Sequence, residues 1–169
     1  RAQAPAGGGE PNPHWYTTCR QRPDREALDL IDFWIEAGPE RWFQGTESFD
    51  ALCRDRYSDL HMQASRNGLA HWRNSPEGAL ALLLLLDQIP RNIFRGSAHA
   101  YATDPMARSV ARQAIDRGYD REYWPGLRIF FYMPFMHSEA LTDQEYCVEL
   151  FQQIPESGSA RWAQHHHAI

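Results

Sequence analysis

The sequence predicts an all-α domain, and three observations lead to this prediction. Residues 79–86 read ALALLLLL, an apolar run without a β-branched side chain, and Ala and Leu are the strongest helix formers. Apolar residues elsewhere recur at intervals of three and four, as on one face of a helix. No segment is a convincing strand. We therefore expect six or seven helices, arranged as tetratricopeptide-like antiparallel pairs around a buried leucine-rich central helix.

The chain is expected to contain a tail and one domain. Residues 1–23 include Gly7-Gly8-Gly9 and four prolines, a composition that cannot build a packed core, so they are predicted to be extended. Residues 24–169 are predicted to form the helical domain. A last helix is expected to start near Ser159 and to lack a cap at Ile169, which predicts a domain that is incomplete at its C-terminal end.

Capping residues predict where the first helices begin and end. Asp24 is expected to cap the first helix, and Gly38-Pro39 to end it before a short aromatic connector at residues 41–43. The second helix is expected over residues 48–67, with Gly68 after it. His61 lies on or beside the apolar stripe of this helix, where a hydrogen-bonded core histidine is the favoured interpretation.

The leucine-rich helix and those after it follow the same rules. Ser75 is the predicted N-cap, Pro76 the first helical residue, and Pro90 the stop. Asp104-Pro105 opens the next helix. A short aromatic helix is expected from residue 125, and residues 142–145 form a predicted capping box for an amphipathic helix.

Composition excludes several classes of function. All 17 basic residues are Arg, so chemistry that needs a lysine amine, such as a Schiff base or a Walker-type phosphate loop, is excluded. The net charge of −5 gives no reason to expect nucleic acid as a partner. The longest apolar run is far shorter than the roughly 20 residues of a transmembrane helix. Three widely spaced cysteines favour a reducing compartment, cytoplasmic or that of a processed organellar protein.

Two groups of side chains are candidate binding residues. The first follows the leucine-rich helix: Asp87, Gln88, Arg91, Asn92 and Arg95. An acid at a helix C-terminus needs a cation, so this group forms either an internal Asp–Arg clamp or a site in which the guanidiniums bind an anionic ligand. The second group is Arg128, Tyr132, His137 and Glu139, in which a histidine near a carboxylate could act as an acid or base.

Neither group matches a known catalytic spacing such as HExxH or GxSxG, so the catalytic residues stay unidentified. Ser138 beside His137 is equally suited to capping a helix. We predict no metal site and no cofactor. Residues 165–167 are three consecutive histidines inside an apparent helix, where only one face can be shared, so they are interpreted as exposed side chains.

Two long motifs resemble a known family. LLLLLDQIPRNIFRGSAHAYATDP at residues 82–105 and FFYMPFMHSEALTDQE at residues 130–145 are similar to a mainly bacterial family of uncharacterised proteins, domain of unknown function 924. The resemblance extends from residues 32–34 to the end of the chain. It implies a fold similar to tetratricopeptide repeats and brings no established activity, cofactor or catalytic residue. The family positions matched here include Asp87, Gln88, Pro90, Arg91, Asn92, Arg95, Asp104, His137, Ser138 and Glu139.

The chain departs from that family where it ends, because members usually continue beyond Ile169 into a basic, aromatic segment. Two functions remain open. The first is a non-catalytic adaptor or complex subunit that binds a protein or peptide between helix pairs. The alternative is a small-molecule enzyme, or a binder of a small anionic ligand, that uses an Arg/Asp/His pocket.

Overall fold

The computed structural model describes residues 22–155, and every regular element in this range is a helix or a helical turn. Most of the predicted N-terminal tail and the helix predicted from Ser159 lie outside the described residues. No helix within residues 22–155 is both long and apolar enough to cross a membrane.

The first two helices are α1, Arg25–Gln44, and α2, Glu47–Ser65. Gly38 interrupts α1 with a positive φ of 74°, after which the chain is helical again to Gln44. The predicted connector at residues 41–43 is therefore wrong: a proline is tolerated in the first turn of the new segment, and packing favours helix there. Trp42 is buried, stacks on Trp34 at 5.9 Å between ring centroids, and donates a hydrogen bond to the Trp34 carbonyl.

The leucine-rich segment consists of α3, Pro76–Leu83, a π-helical turn at Leu84–Gln88, and α4, Ile89–Ile93. We call the turn the π turn. The predicted start is confirmed, since Ser75 Oγ accepts a hydrogen bond from the Gly78 amide and Pro76 follows it. Leucines 80 and 82–86 are each at most 3% exposed. The prediction that Pro90 ends the helix is wrong, because the helix widens and continues to Ile93.

Pro90 explains the π turn. A proline has no N–H, and its ring clashes with the carbonyl four residues earlier, which here belongs to Leu86. The Ile89 amide donates to the carbonyl of Leu84, five residues earlier. This wider turn relieves the clash between the Pro90 ring and the Leu86 carbonyl that a regular α-helical turn would cause. Neither Leu85 nor Leu86 can then receive a hydrogen bond from residue 90.

Side chains from two other parts of the fold supply the missing donors. His61 Nδ1 lies 2.7 Å from the Leu85 carbonyl oxygen, and Thr103 Oγ1 donates to that of Leu86 at 2.6 Å. His61 is 4% exposed, so its interpretation as a hydrogen-bonded core histidine is confirmed. Burial lowers the pKa of His61, against an opposing effect of its bond to Leu85. The π turn is thus held by contacts that lie far apart in the sequence.

The remaining helices are α5, Asp104–Asp116, α6, Pro125–Arg128, α7, Met133–Met136, and α8, Leu141–Gln152. The capping box predicted at residues 142–145 is wrong. Helix α8 begins at Leu141 without a side-chain cap, because Asp143 instead accepts a hydrogen bond from Ser138. Helices α1 and α5 pack against α3, α2 packs against α4, and α8 packs against α7.

Candidate functional site

Asp87 is the centre of the first candidate group. The π turn places its carboxylate in the protein interior, where the side chain is 1% exposed. Gln88 Nε2 donates to Asp87 Oδ2 at 2.6 Å, and His137 Nδ1 lies 2.8 Å from Oδ1. Arg91 Nη1 is 3.4 Å from the same Oδ1. Both oxygens are therefore bonded, as a buried carboxylate requires.

His137 reaches this carboxylate from α7, directly after the last residue of that helix. A carboxylate oxygen accepts, so Nδ1 carries the hydrogen and the neutral ring has its lone pair on Nε2. The imidazole is 20% exposed, and Nε2 has no hydrogen-bond partner among residues 22–155. His137 thus contacts the buried carboxylate of Asp87 through Nδ1, while Nε2 is unpartnered within the same residues.

Arg91 forms the internal clamp that was one of the two alternatives for this group. Its guanidinium makes two hydrogen bonds of 3.0 Å to the carboxylate of Asp104 and a third to the backbone carbonyl of Asp87. It also lies over the ring of Tyr101, 5.3 Å from the centroid. The main carboxylate partner is Asp104 rather than Asp87, because the paired donors of Arg fit both oxygens of Asp104.

Arg95 and Asn92 form a second clamp, on Asp50 of α2. Asn92 Nδ2 and Arg95 Nη2 donate to Asp50 Oδ1 at 2.8 and 2.9 Å, and Arg95 Nε donates to Oδ2. Burial would raise the pKa of Asp50, but the hydrogen bonds from Arg95 and Asn92 outweigh it and hold the pKa below its usual value. Both guanidiniums of the first group are therefore paired with carboxylates of the same chain.

Arg128 and Tyr132 do not join His137 but form a separate buried cluster with Asp120. The Tyr132 hydroxyl donates to Asp120 Oδ2 and accepts from Arg128 Nε, which lies 3.5 Å from the same carboxylate oxygen. Burial, followed by the bond to Asp120, raises the pKa of Tyr132. Asp120 Oδ1 is buried and has no hydrogen-bond partner within residues 22–155.

Neither of the two candidate nucleophiles near α7, Ser138 and Cys147, is bonded to His137, and the Cys147 thiol donates to the Tyr132 carbonyl. Ser138 Oγ donates to Asp143 at 2.7 Å and accepts from the Ala140 amide, so it is not bonded to the histidine. Burial raises the pKa of the Cys147 thiol. Glu139 is exposed and lies outside the hydrogen bonds around Asp87. In the described part of the chain, no group of three or more His, Cys, Asp or Glu residues is arranged to hold a metal ion.

Sequence reasoning missed Asp50 and Asp120, and did not assign Asp104 to Arg91. Asp50 carried a signal, since it follows Phe49 on the buried stripe of α2 and a charged residue there needs a partner. Asp120 lies in a short helical turn, Tyr119–Glu122, and no pattern in the sequence marks it. His61 and Thr103 act through the π turn, which only the fold reveals.

Comparison with known proteins gives two matches. The profile of a family described as bacterial protein of unknown function, domain of unknown function 924, matches residues 30–169. A solved structure of a protein of unknown function from Agrobacterium tumefaciens is 45% identical, with a TM-score of 0.75, and the alignment covers 82% of this chain and 79% of that one. No curated protein matches. With most of its length inside the matched range, the chain belongs to this bacterial family of unknown function.

Proposed function

We propose that this protein binds a small molecule at His137 and transfers a proton to or from it. The observation that carries the proposal is the 2.8 Å contact between His137 Nδ1 and the buried Asp87, which leaves Nε2 of a ring that is 20% exposed without a hydrogen-bond partner among residues 22–155. A histidine whose Nδ1 is held by a buried aspartate can act as a general base or acid through Nε2. The convergence of Asp87, Arg91 and His137 therefore supports the enzyme alternative more than the adaptor.

The surroundings of Asp87 support this role. Gln88 and Arg91 contact the carboxylate together with His137, so it cannot rotate away from the imidazole. A buried carboxylate stabilises the imidazolium that forms when Nε2 accepts a proton. Because Ser138 is bonded to Asp143, the group that gives up the proton is a hydroxyl of the ligand or a water molecule. The paired guanidiniums of Arg91 and Arg95 favour a ligand that is not anionic.

The test is turnover of a panel of uncharged esters, amides and glycosides by the full chain between pH 5 and 9. We expect His137→Gln to lower kcat by about 10²–10⁴-fold, the usual contribution of a general base. His71→Gln is the matched control, because His71 also bonds an aspartate, Asp24, but at an exposed position. The proposal is wrong if the panel gives no turnover or if His137→Gln is as active as the wild type.

The second candidate is the protein-binding adaptor with a tetratricopeptide-like array of helix pairs. One observation favours it: a groove of about 550 Å³ on α7 and α8, lined by Met136, Gln144, Cys147, Val148, Phe151 and Gln152. The adaptor requires a partner that occupies this groove. Buried free thiols at Cys53 and Cys147 support the further proposal that the protein works in a reducing compartment.

A further inference from the structure

The groove on α7 and α8 is an apolar surface that is exposed to solvent within residues 22–155. Met136 and Val148, which line the groove, are 47 and 56% exposed, and Leu141 at the start of α8 is 69% exposed. These three are half of the exposed large hydrophobic side chains within residues 22–155. Val148 and Phe151 lie one turn apart on α8, so the groove follows the axis of that helix. Contiguous exposed apolar surface of this kind marks an interaction site.

We infer that the groove is covered by residues 156–169 of the same chain. First, this segment is continuous with the domain, because the range matched by the family runs through residue 169. Helix α8 ends at Gln152, which itself lines the groove, and Pro155 prevents the helix from continuing in the same direction. The chain therefore leaves the described residues beside the groove.

Length is the second argument. The eleven residues of the helix predicted at 159–169 extend about 17 Å at helical rise, and the twelve residues of α8 extend about 18 Å. The helix predicted from Ser159, after a turn at residues 155–158, matches the groove when it runs antiparallel to α8. Trp162 and Ile169 are seven residues apart and share one face of such a helix. They are the large apolar side chains available to fill the groove.

Charge is the third argument. Helix α8 contains Asp143, Glu145 and Glu149 and no basic residue. Glu145 and Glu149 are exposed and one turn apart, beside the apolar stripe. The segment that follows contains Arg161 and three histidines at residues 165–167, with Glu156 as its only acid. Arg161 is thus a positive charge that can pair with the exposed glutamates of α8, which favours this segment as the occupant.

The test is photo-crosslinking in the full chain with a benzophenone side chain at Val148. We expect most crosslinked peptides to join position 148 to residues 156–169 within one molecule. The same side chain at Met62, which is exposed on α2, is the control and should give no such product. Crosslinks between two copies of the chain, or none to residues 156–169, would overturn the inference, as would crosslinks in cell extract mainly to another protein.

A second pair of variants tests whether Trp162 holds the segment in the groove. Trp162→Glu should lower the intramolecular crosslink yield at least fivefold, since it removes the apolar contact and adds a charge that α8 repels. Gln164→Glu adds the same charge on the opposite side of the predicted helix and should leave the yield within twofold. Equal yields from the two variants would contradict the proposed docking. Activity at His137 is not a readout here, so failure of this inference is distinguishable from failure of the proposed function.

Discussion

Two aspartate–histidine pairs in this protein have nearly equal lengths and very different surroundings. His137 lies 2.8 Å from Asp87, and His71 lies 2.7 Å from Asp24. The Asp87 side chain is 1% exposed and that of Asp24 is 44% exposed. Water competes for Asp24 but cannot reach Asp87, and electrostatic interactions are stronger where water is absent. Burial of the carboxylate, rather than the distance, distinguishes a candidate site from a surface contact.

Removal of the carboxylate from each pair should give the largest difference in unfolding free energy between the two pairs. Asp87→Ala leaves the donors of Gln88 and His137 without an acceptor in the interior, so we expect it to lower the free energy of unfolding by about 3–5 kcal/mol. Asp24→Ala, at the exposed pair, should cost about 1 kcal/mol or less. Urea denaturation of both variants measures the difference. Equal losses would mean that burial does not separate the two pairs.

A third carboxylate sharpens the comparison, because Asp120 is as buried as Asp87 but depends on Tyr132. Tyr132→Phe removes the hydrogen bond from the phenol to Asp120 and leaves Arg128 Nε, 3.5 Å away, as the ion-pair partner. A hydrogen bond to a charged group is worth about 1.5–3 kcal/mol. We expect a loss of unfolding free energy of that size, measured by urea denaturation. Tyr146→Phe is the control, since that hydroxyl makes no hydrogen bond within residues 22–155, and it should cost less than about 0.5 kcal/mol.

The raised pKa of Tyr132 should also make the unfolding free energy depend on pH in the alkaline range. The pKa of Tyr132 is raised by burial and by its bond to Asp120, so the folded chain keeps the phenol neutral after the unfolded chain ionises. Its contribution is fully present below about pH 10, the ordinary pKa of tyrosine, and is lost as the pH rises further. Unfolding free energies from pH 9 to 11 should therefore fall less steeply in Tyr132→Phe than in the wild type.

Thr103 tests how Asp87 is positioned. Thr103→Val removes the hydroxyl that donates to the Leu86 carbonyl, and Pro90 has no N–H to replace it. We expect a loss of about 1–2 kcal/mol in urea denaturation, as for an unsatisfied buried acceptor. Thr142→Val, at an exposed position, should change stability by less than about 0.5 kcal/mol. A loss no larger in Thr103→Val than in this control would show that the π turn is held without the hydroxyl.

The residues around the π turn show which features can be predicted from the sequence and which cannot. Periodicity and caps predict helices and the start at Ser75, because these depend on residues a few positions apart. The π turn is not predictable from the sequence. Pro90 indicates that a backbone N–H is missing from the helix, but it does not indicate that the side chains of His61 and Thr103 bond the carbonyls left without that donor. Asp87 and His137 are 50 positions apart, so the sequence predicts that they belong to two separate groups. In the fold, a hydrogen bond between these two residues joins the groups. Asp104 replaces Asp87 as the main partner of Arg91 for the same reason.

The smallest expected effect concerns the exposed pair and its dependence on pH. Hydrogen bonds from His71, and then from Trp72, lower the pKa of Asp24. A lowered pKa in the folded chain contributes stability above the unfolded value, and this contribution is lost as the pH falls through the folded pKa. The difference in unfolding free energy between the wild type and Asp24→Asn should therefore shrink from pH 6 to pH 2. It should not exceed about 1 kcal/mol at pH 6, because water screens the pair. A difference that stays constant in urea titrations over this range would show that the contacts to His71 and Trp72 do not stabilise the charged form of Asp24.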